Sequence, residues 1–156
     1  MEKVSDNFLE AKKYADDLVS GKKLANIEQV QAAQRFIDDL KSGKWDFRSD
    51  QFDFVIGLIE GTIKHQQGQD LNGVDLSGTP LLLLPWQKFI IVNLFGFFNK
   101  GTSIRRFNEA LIFLPRKQGK TDFSAALIWA KGVVDRKSGS KVYILANSID
   151  QTKEAF

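Results

Sequence analysis

Apolar side chains recur at helical spacing through the first third of the chain. Phe8, Leu9, Ala11, Tyr14, Ala15 and Leu18 fall three and four residues apart, so Ser5 to Val19 reads as an amphipathic helix ended by Ser20-Gly21. A second stripe, Ile27, Val30, Ala33, Phe36, Ile37 and Leu40, predicts a helix from Ile27 to Lys41 with Asn26 as N-cap and Ser42-Gly43 as the stop. A third helix spans Phe52 to Lys64, with Ser49 or Asp50 available to cap it. These stripes read as core. Gln66 to Thr79 is rich in Gly, Asn, Asp and Ser and reads as a loop. Pro85, fixed in φ, suits the first turn of a fourth helix running to about Phe98. The most apolar window, Leu81 to Phe98, is interrupted by Pro85, Gln87, Lys88 and Asn93, the signature of a buried helix and not of a membrane span.

The pattern changes after the turn at Lys100-Gly101-Thr102-Ser103. Ala110 to Leu114 is a short apolar run that predicts a strand, and Lys120 to Val134 is again amphipathic. Lys137 to Ser140 forms a turn before a second, buried strand at Val142–Ala146. Ser148-Ile149-Asp150-Gln151 has the form of a capping box that opens a last helix toward Phe156. Gly119-Lys120-Thr121 therefore lies between a strand and a helix, the setting in which this triplet holds phosphate. A glycine lets the backbone approach the anion, and the first amides of the following helix point toward it. Lys120 supplies a positive charge for the outer phosphates, and the Thr121 hydroxyl is suited to ligating Mg²⁺. The usual loop, G-x-x-x-x-G-K-[ST], has Leu114 at its first glycine position. Spacing alone thus leaves an ordinary strand–turn–helix loop open as the other reading.

Composition narrows the chemistry. The chain has 156 residues, 43% of them hydrophobic and 26% charged, enough for a globular domain with a sizeable core. No cysteine is present, which excludes disulfides, thiolate zinc sites and cysteine nucleophiles. A single histidine, His65, cannot build a multi-histidine metal site and reads as a solvated residue at a helix end. No basic segment followed by an apolar one begins the chain, so no secretion signal is read. Net charge is +3, but residues 101–156 hold ten Lys/Arg against five Asp/Glu, whereas residues 1–100 hold twelve against fourteen. A basic C-terminal part suits a polyanionic partner such as nucleotide or DNA.

Taken together, five segments resemble the front of a tailed-phage terminase large subunit, an ATP-driven motor that packages DNA. They are Tyr14-Ala15 with Val19-Ser20-Gly21-Lys22; Pro85-Trp86-Gln87 opening a helix that ends near Phe95-Gly96; Arg105-Arg106-Phe107; Pro115-Arg116-Lys117-Gln118-Gly119-Lys120-Thr121; and Ala146-Asn147-Ser148 followed by Gln151 and Phe156. The fourth is similar to that family's variant loop, which lacks the first glycine. The resemblance implies an α/β fold: a P-loop NTPase (ASCE-type) fragment with a mainly α-helical N-terminal region, residues 1–80, and an incomplete ATPase domain, residues 81–156, holding only two central strands.

The resemblance also implies roles. Lys120 and Thr121 would hold the β/γ-phosphates of ATP and Mg²⁺, with backbone amides from Lys117, Gln118 and Gly119. Gln87 resembles an adenine-reading glutamine, whose amide offers a donor edge and an acceptor edge. Trp86 is read as a core anchor. Arg116 has two readings, an arginine finger supplied in cis or a partner for a neighbouring carboxylate. Arg105 and Arg106 are read as solvated surface, with DNA or a neighbouring subunit as the alternative. The only acids after Thr121 are Asp122, Asp135, Asp150 and Glu154, so the acidic strand end that hydrolysis needs is not found and a truncated chain is expected, with a well-packed helical front and a poorly supported pair of strands.

Implied partners are double-stranded DNA, the small terminase subunit, the portal and a homo-oligomeric ring. No membrane is implied, and the expected location is the cytoplasm of the bacterial host. A non-enzymatic helical docking module and the front of another P-loop translocase or helicase are the competing readings.

Overall fold

The computed structural model describes residues 4–69, 72–115, 118–135, 141 and 143. The elements run α1 (Asp6–Val19), α2 (Ile27–Ser42), β1 (Trp45–Phe47), α3 (Ser49–Thr62), α4 (Pro85–Gly96), β2 (Phe97–Asn99) and α5 (Lys120–Asp135). They divide between two compact units, one of residues 1–57 and 82–110 and the other of residues 58–81 and 111–156.

In the first unit α1 packs against both α2 and α4. The cap residues start and stop these helices where their chemistry directs. The Ser5 hydroxyl accepts from Phe8 N–H, and Asn26 makes a full capping box with Gln29, the paired bonds being 2.8 and 3.2 Å. Gly43 ends α2 in the left-handed conformation at φ 61°, which a glycine adopts without a Cβ penalty. Ala11, Ala15, Leu18, Ala33 and Phe36 are buried, as the helical stripes require. Ile27 departs from its stripe. It is 63% exposed.

Helix α4 is buried on nearly every side, including its polar Gln87, Lys88 and Asn93, as expected for a helix apolar all round. Lys88 Nζ reaches Glu10 Oε2 at 2.9 Å, and Asn93 donates back to Phe89 O at 2.8 Å. No described helix is long and apolar enough to cross a membrane. Phe36 meets Phe89 and Phe97 edge-on at 5.4 and 5.9 Å, and Phe47 packs on Phe8, Phe52 and Phe97 at 4.8–5.5 Å. Such ring pairs add about 1 kcal/mol each beyond the area they bury. The close fit reaches the backbone at Gly96, where a Cβ would lie 2.9 Å from Phe47 and 3.0 Å from Phe52.

Among the described residues the sheet is a two-stranded antiparallel pair, with Trp45 opposite Asn99 and Phe47 opposite Phe97. Neither strand has a sequence run long enough to announce it, and both lie where helices were expected to end or not yet to have begun. α4 accordingly stops at Gly96, where β1 takes up the following residues, and α3 begins at Ser49, three residues before the expected start. The expected strand at Ala110–Leu114 is corrected: the segment carries no ladder, and Leu111 and Phe113 are 95% and 94% exposed. A strand needs a neighbour for its N–H and C=O groups, and among the described residues none pairs with this one. The second expected strand, Val142–Ala146, and the last helix lie outside the described residues apart from Tyr143.

A second correction concerns Arg105 and Arg106, which are not solvated surface. Arg106 is only 16% exposed at its side chain and forms an ion pair with Asp39. Its guanidinium lies 4.3 Å over the Trp45 ring and 4.6 Å over Phe107. Arg105 lies 4.8 Å over Phe95 and bridges its backbone to Phe98. The planar guanidinium stacks on aromatic faces, so this basic pair closes the aromatic core. Burial first, and then the charge of Arg35, push Arg106 below the ordinary guanidinium range.

In the second unit the segment read as a loop, Gln66 to Thr79, carries no helix or strand among the described residues, and its ends meet through His65 N–H to Thr79 O and Gly78 N–H to His65 O, both 2.9 Å. Phe123, Ala126 and Ala130 form the buried stripe of α5.

Candidate nucleotide-binding loop

The helix expected after the GKT triplet is present, and Lys120 is its first residue. Gly119 stands just before it at φ 66°, a left-handed conformation that a side chain would strain. The space where its Cβ would stand holds nothing within 4 Å. The first bond from this glycine into α5 runs from Phe123 N–H to Gly119 O at 3.1 Å. The amides of Lys120, Thr121 and Asp122 precede it and have no acceptor within the helix. Gln118, Gly119 and Lys120 are exposed and Thr121 is half-buried. Four sequence-derived site residues thus form one continuous corner: an open glycine, an exposed ammonium, a hydroxyl and the positive end of a helix dipole. That donor set fits a phosphate chain. Asp122, also exposed in the first turn, is the one acid beside it there.

Arg116 and Lys117 lie outside the described residues. Gln87 belongs to the first unit and is described by itself. It occupies the third position of α4 and is 6% exposed. Its Oε1 accepts from Leu84 N–H at 2.7 Å, half of a capping box whose reciprocal half is missing because the Leu84 side chain has no acceptor. Sequence spacing contained that bond, since a glutamine three residues after an N-cap is its usual source. Trp86 is half-buried, less enclosed than a core anchor would be.

Among the described residues no group of three or more His, Asp or Glu side chains is placed to hold a metal. An open polar depression of about 610 Å³ is lined by Gln66, Gln67, Gly68, Gln69, Asp75 and Ser77. None of the described loop residues lines it.

A family model described as the terminase large subunit, ATPase domain, matches residues 85–156. That segment belongs to the terminase large subunit ATPase family. The match begins at the first residue of α4, takes in Gly119–Thr121, and includes all of α5. No curated protein and no solved structure matches the chain.

Proposed function

We propose that the chain binds MgATP at the head of α5 through a P-loop of the terminase type, and that it serves ATP-driven packaging of viral DNA into a procapsid. The observation that carries this reading is the coincidence of the family match with the corner itself. Lys120 opens α5 immediately after a glycine in the left-handed conformation, inside the matched segment.

On this reading the amides from Gly119 to Thr121 bind the phosphate chain, and the Lys120 ammonium neutralises its outer charge. The Thr121 hydroxyl would be the chain's ligand for Mg²⁺, which would supply positive charge beside the outer phosphates. Gln118 and Lys117 contribute further loop amides. Arg116 carries a guanidinium in the loop for the charge that spreads over the transferring phosphoryl group. Gln87 contacts the purine. Residues 81–156 are the ATPase segment of this scheme and residues 1–80 a helical region that precedes it. Double-stranded DNA, the small terminase subunit, the portal and further copies of the chain are the proposed partners, in the cytoplasm of the host.

Nucleotide titration of the wild type against Lys120→Ala tests the proposal. Saturable MgATP binding is expected in the wild type, with a loss of about tenfold or more in the variant, which corresponds to at least ~1.4 kcal/mol. Equal affinities, or no binding by either protein, would overturn it. Lys120 is exposed, so a change in folding does not confuse the comparison.

A further inference from the structure

We infer that the corner where the β1–β2 pair meets the turn at residues 100–103 is a contact surface for the phosphate backbone of double-stranded DNA, with Lys44, Arg48 and Lys100 as its cations. This surface serves the DNA-packaging reading above, on which it rests, and it lies wholly within the first unit.

Charge is unevenly placed in that unit. Residues 41–48 and 99–106 hold six Lys/Arg against one acid, Asp46, while the remainder of the unit holds seven against eleven. The two segments lie side by side, because Trp45 pairs with Asn99 and Phe47 with Phe97. A polyanion at this corner therefore meets cations that flank both strands, on a unit that is otherwise acidic. Arg106 is not one of them, since it is enclosed with Asp39.

Two of the three cations are already held in place. Lys100 Nζ donates to Gly43 O at 3.0 Å, beside the backbone of Lys44. Arg48 lies 4.4 Å over the Phe98 ring and donates to Thr102 O at 2.7 Å. An ammonium has three donors and a guanidinium five, so these bonds leave N–H groups for an outside acceptor, and an anchored side chain loses less freedom on binding. Asp46 accepts from Gly101 N–H at 2.8 Å and stands 3.7 Å from Arg48, which engages the one negative charge of the corner. Lys44 and Lys100 are exposed and have no carboxylate partner among the described residues. Asp50, two residues beyond Arg48, lies in the first turn of α3, where the helix dipole offsets its charge.

The surroundings of these cations select the kind of polyanion. Lysine serves phosphate as a point charge, whereas protein interfaces are depleted in lysine and centre on aromatic or aliphatic anchors. Ile104 is the one large apolar residue exposed on the turn, too little for such a centre. Phe98 is 4% exposed, and Trp45 lies beneath the Arg106 guanidinium. Neither ring is open to the base stacking that holds a single strand. A duplex presents closely spaced phosphates and needs neither device. Contacts of this kind carry no sequence information.

Fluorescence anisotropy with short blunt duplexes of two unrelated sequences tests the surface on the whole chain and on Lys44→Gln/Lys100→Gln. Wild-type affinities for the two duplexes are expected to agree within about threefold and to fall steeply with salt. The double variant is expected to bind about tenfold or more weakly, with the slope of log affinity against log salt reduced by about two. Lys12→Gln/Lys13→Gln removes the same charge from α1, where both lysines pair with aspartates, and is expected to stay within about twofold of the wild type. The Lys44 side chain makes no bond among the described residues. Lys44→Gln alone, with a slope reduced by about one, therefore carries the test if loss of the Lys100 bond unfolds the turn. MgATP affinity is expected to be the same in all of these proteins.

Equal losses in the two double variants would overturn the inference, since net charge and not the corner would then govern binding. Duplex binding that survives Lys44→Gln/Lys100→Gln would also overturn it, moving the DNA contact elsewhere on the chain and leaving the packaging reading in place. Displacement of the duplex by polyglutamate at matched charge would overturn it in favour of an acidic protein partner. A wild type that binds MgATP but no duplex at low salt would bring down this surface together with the DNA half of the packaging reading, and leave nucleotide binding to the Lys120→Ala comparison.

Discussion

The Arg106 guanidinium lies 4.3 Å above the ring of Trp45, and the two residues share an acidic partner. Arg106 forms an ion pair with Asp39, whose other oxygen accepts from Trp45 Nε1–H at 3.2 Å. A residue from the segment after β2 and one from β1 thus close around a single carboxylate from the last turns of α2. At 16% and 11% side-chain exposure, the charges are well shielded from solvent.

Removing one member of this group should cost more than removing both charges. Arg106→Ala leaves Asp39 buried without its counter-charge and should destabilise the chain by about 3 kcal/mol in urea unfolding, whereas the double variant Arg106→Met/Asp39→Leu should recover much of that loss. A double variant that is additive in its two losses would show that the pair is not coupled.

Gly96 has no room for a methyl group. Its Cβ would meet the rings of Phe47 and Phe52 at 2.9 and 3.0 Å, and Phe52 is completely buried. Gly96→Ala should therefore destabilise the first unit by about 1–3 kcal/mol despite alanine's better helix propensity. A neutral or stabilising result in denaturant unfolding would show that the rings move aside freely.

Gly119 makes the opposite case. Its Cβ position is open, so the cost of Gly119→Ala comes from φ 66° and should be about 1 kcal/mol of stability. If the loop cradles phosphate, MgATP affinity should fall further than that stability loss accounts for, because the added methyl stands where the anion approaches. Calorimetric titration beside thermal unfolding separates the two effects. Unchanged affinity would remove Gly119 from the site.

Tyr14 gives the fold a dependence on alkaline pH. Burial raises its phenol above the ordinary value of 10.0, and its ring packs 5.6 Å from Phe89 with Lys23 Nζ 4.8 Å from its centroid. The folded state holds the proton more tightly than the unfolded state. The associated stability is therefore complete below pH 10.0 and is lost as pH rises through the higher folded value. Melting temperatures measured between neutral and strongly alkaline pH should decline less in Tyr14→Phe than in the wild type. Identical declines would assign the effect to other groups.

Much of the helical architecture was legible from spacing. The N-cap at Asn26, the glycine stop at Gly43, the proline opening of α4 and the start of α5 at Lys120 are all decided within a few residues of chain. Local amides, side-chain acceptors and fixed φ angles are enough to place them. β1 and β2 were not legible, because a three-residue strand has no periodicity of its own and exists only through its cross-strand partner. The strand expected at Ala110–Leu114 pairs with none of the described residues, and apolar residues in extended order do not make a ladder without a neighbour.

By itself the sequence determined the helices, the absence of thiol chemistry and the glycine–lysine–threonine corner, because each depends on residues adjacent along the chain. Tertiary structure alone decided that Arg106 is enclosed by Trp45, Phe107 and Asp39, that Gly96 meets two rings, and how deeply Gln87 is buried. Those outcomes depend on contacts between residues far apart in sequence, whose desolvation and packing no local pattern encodes.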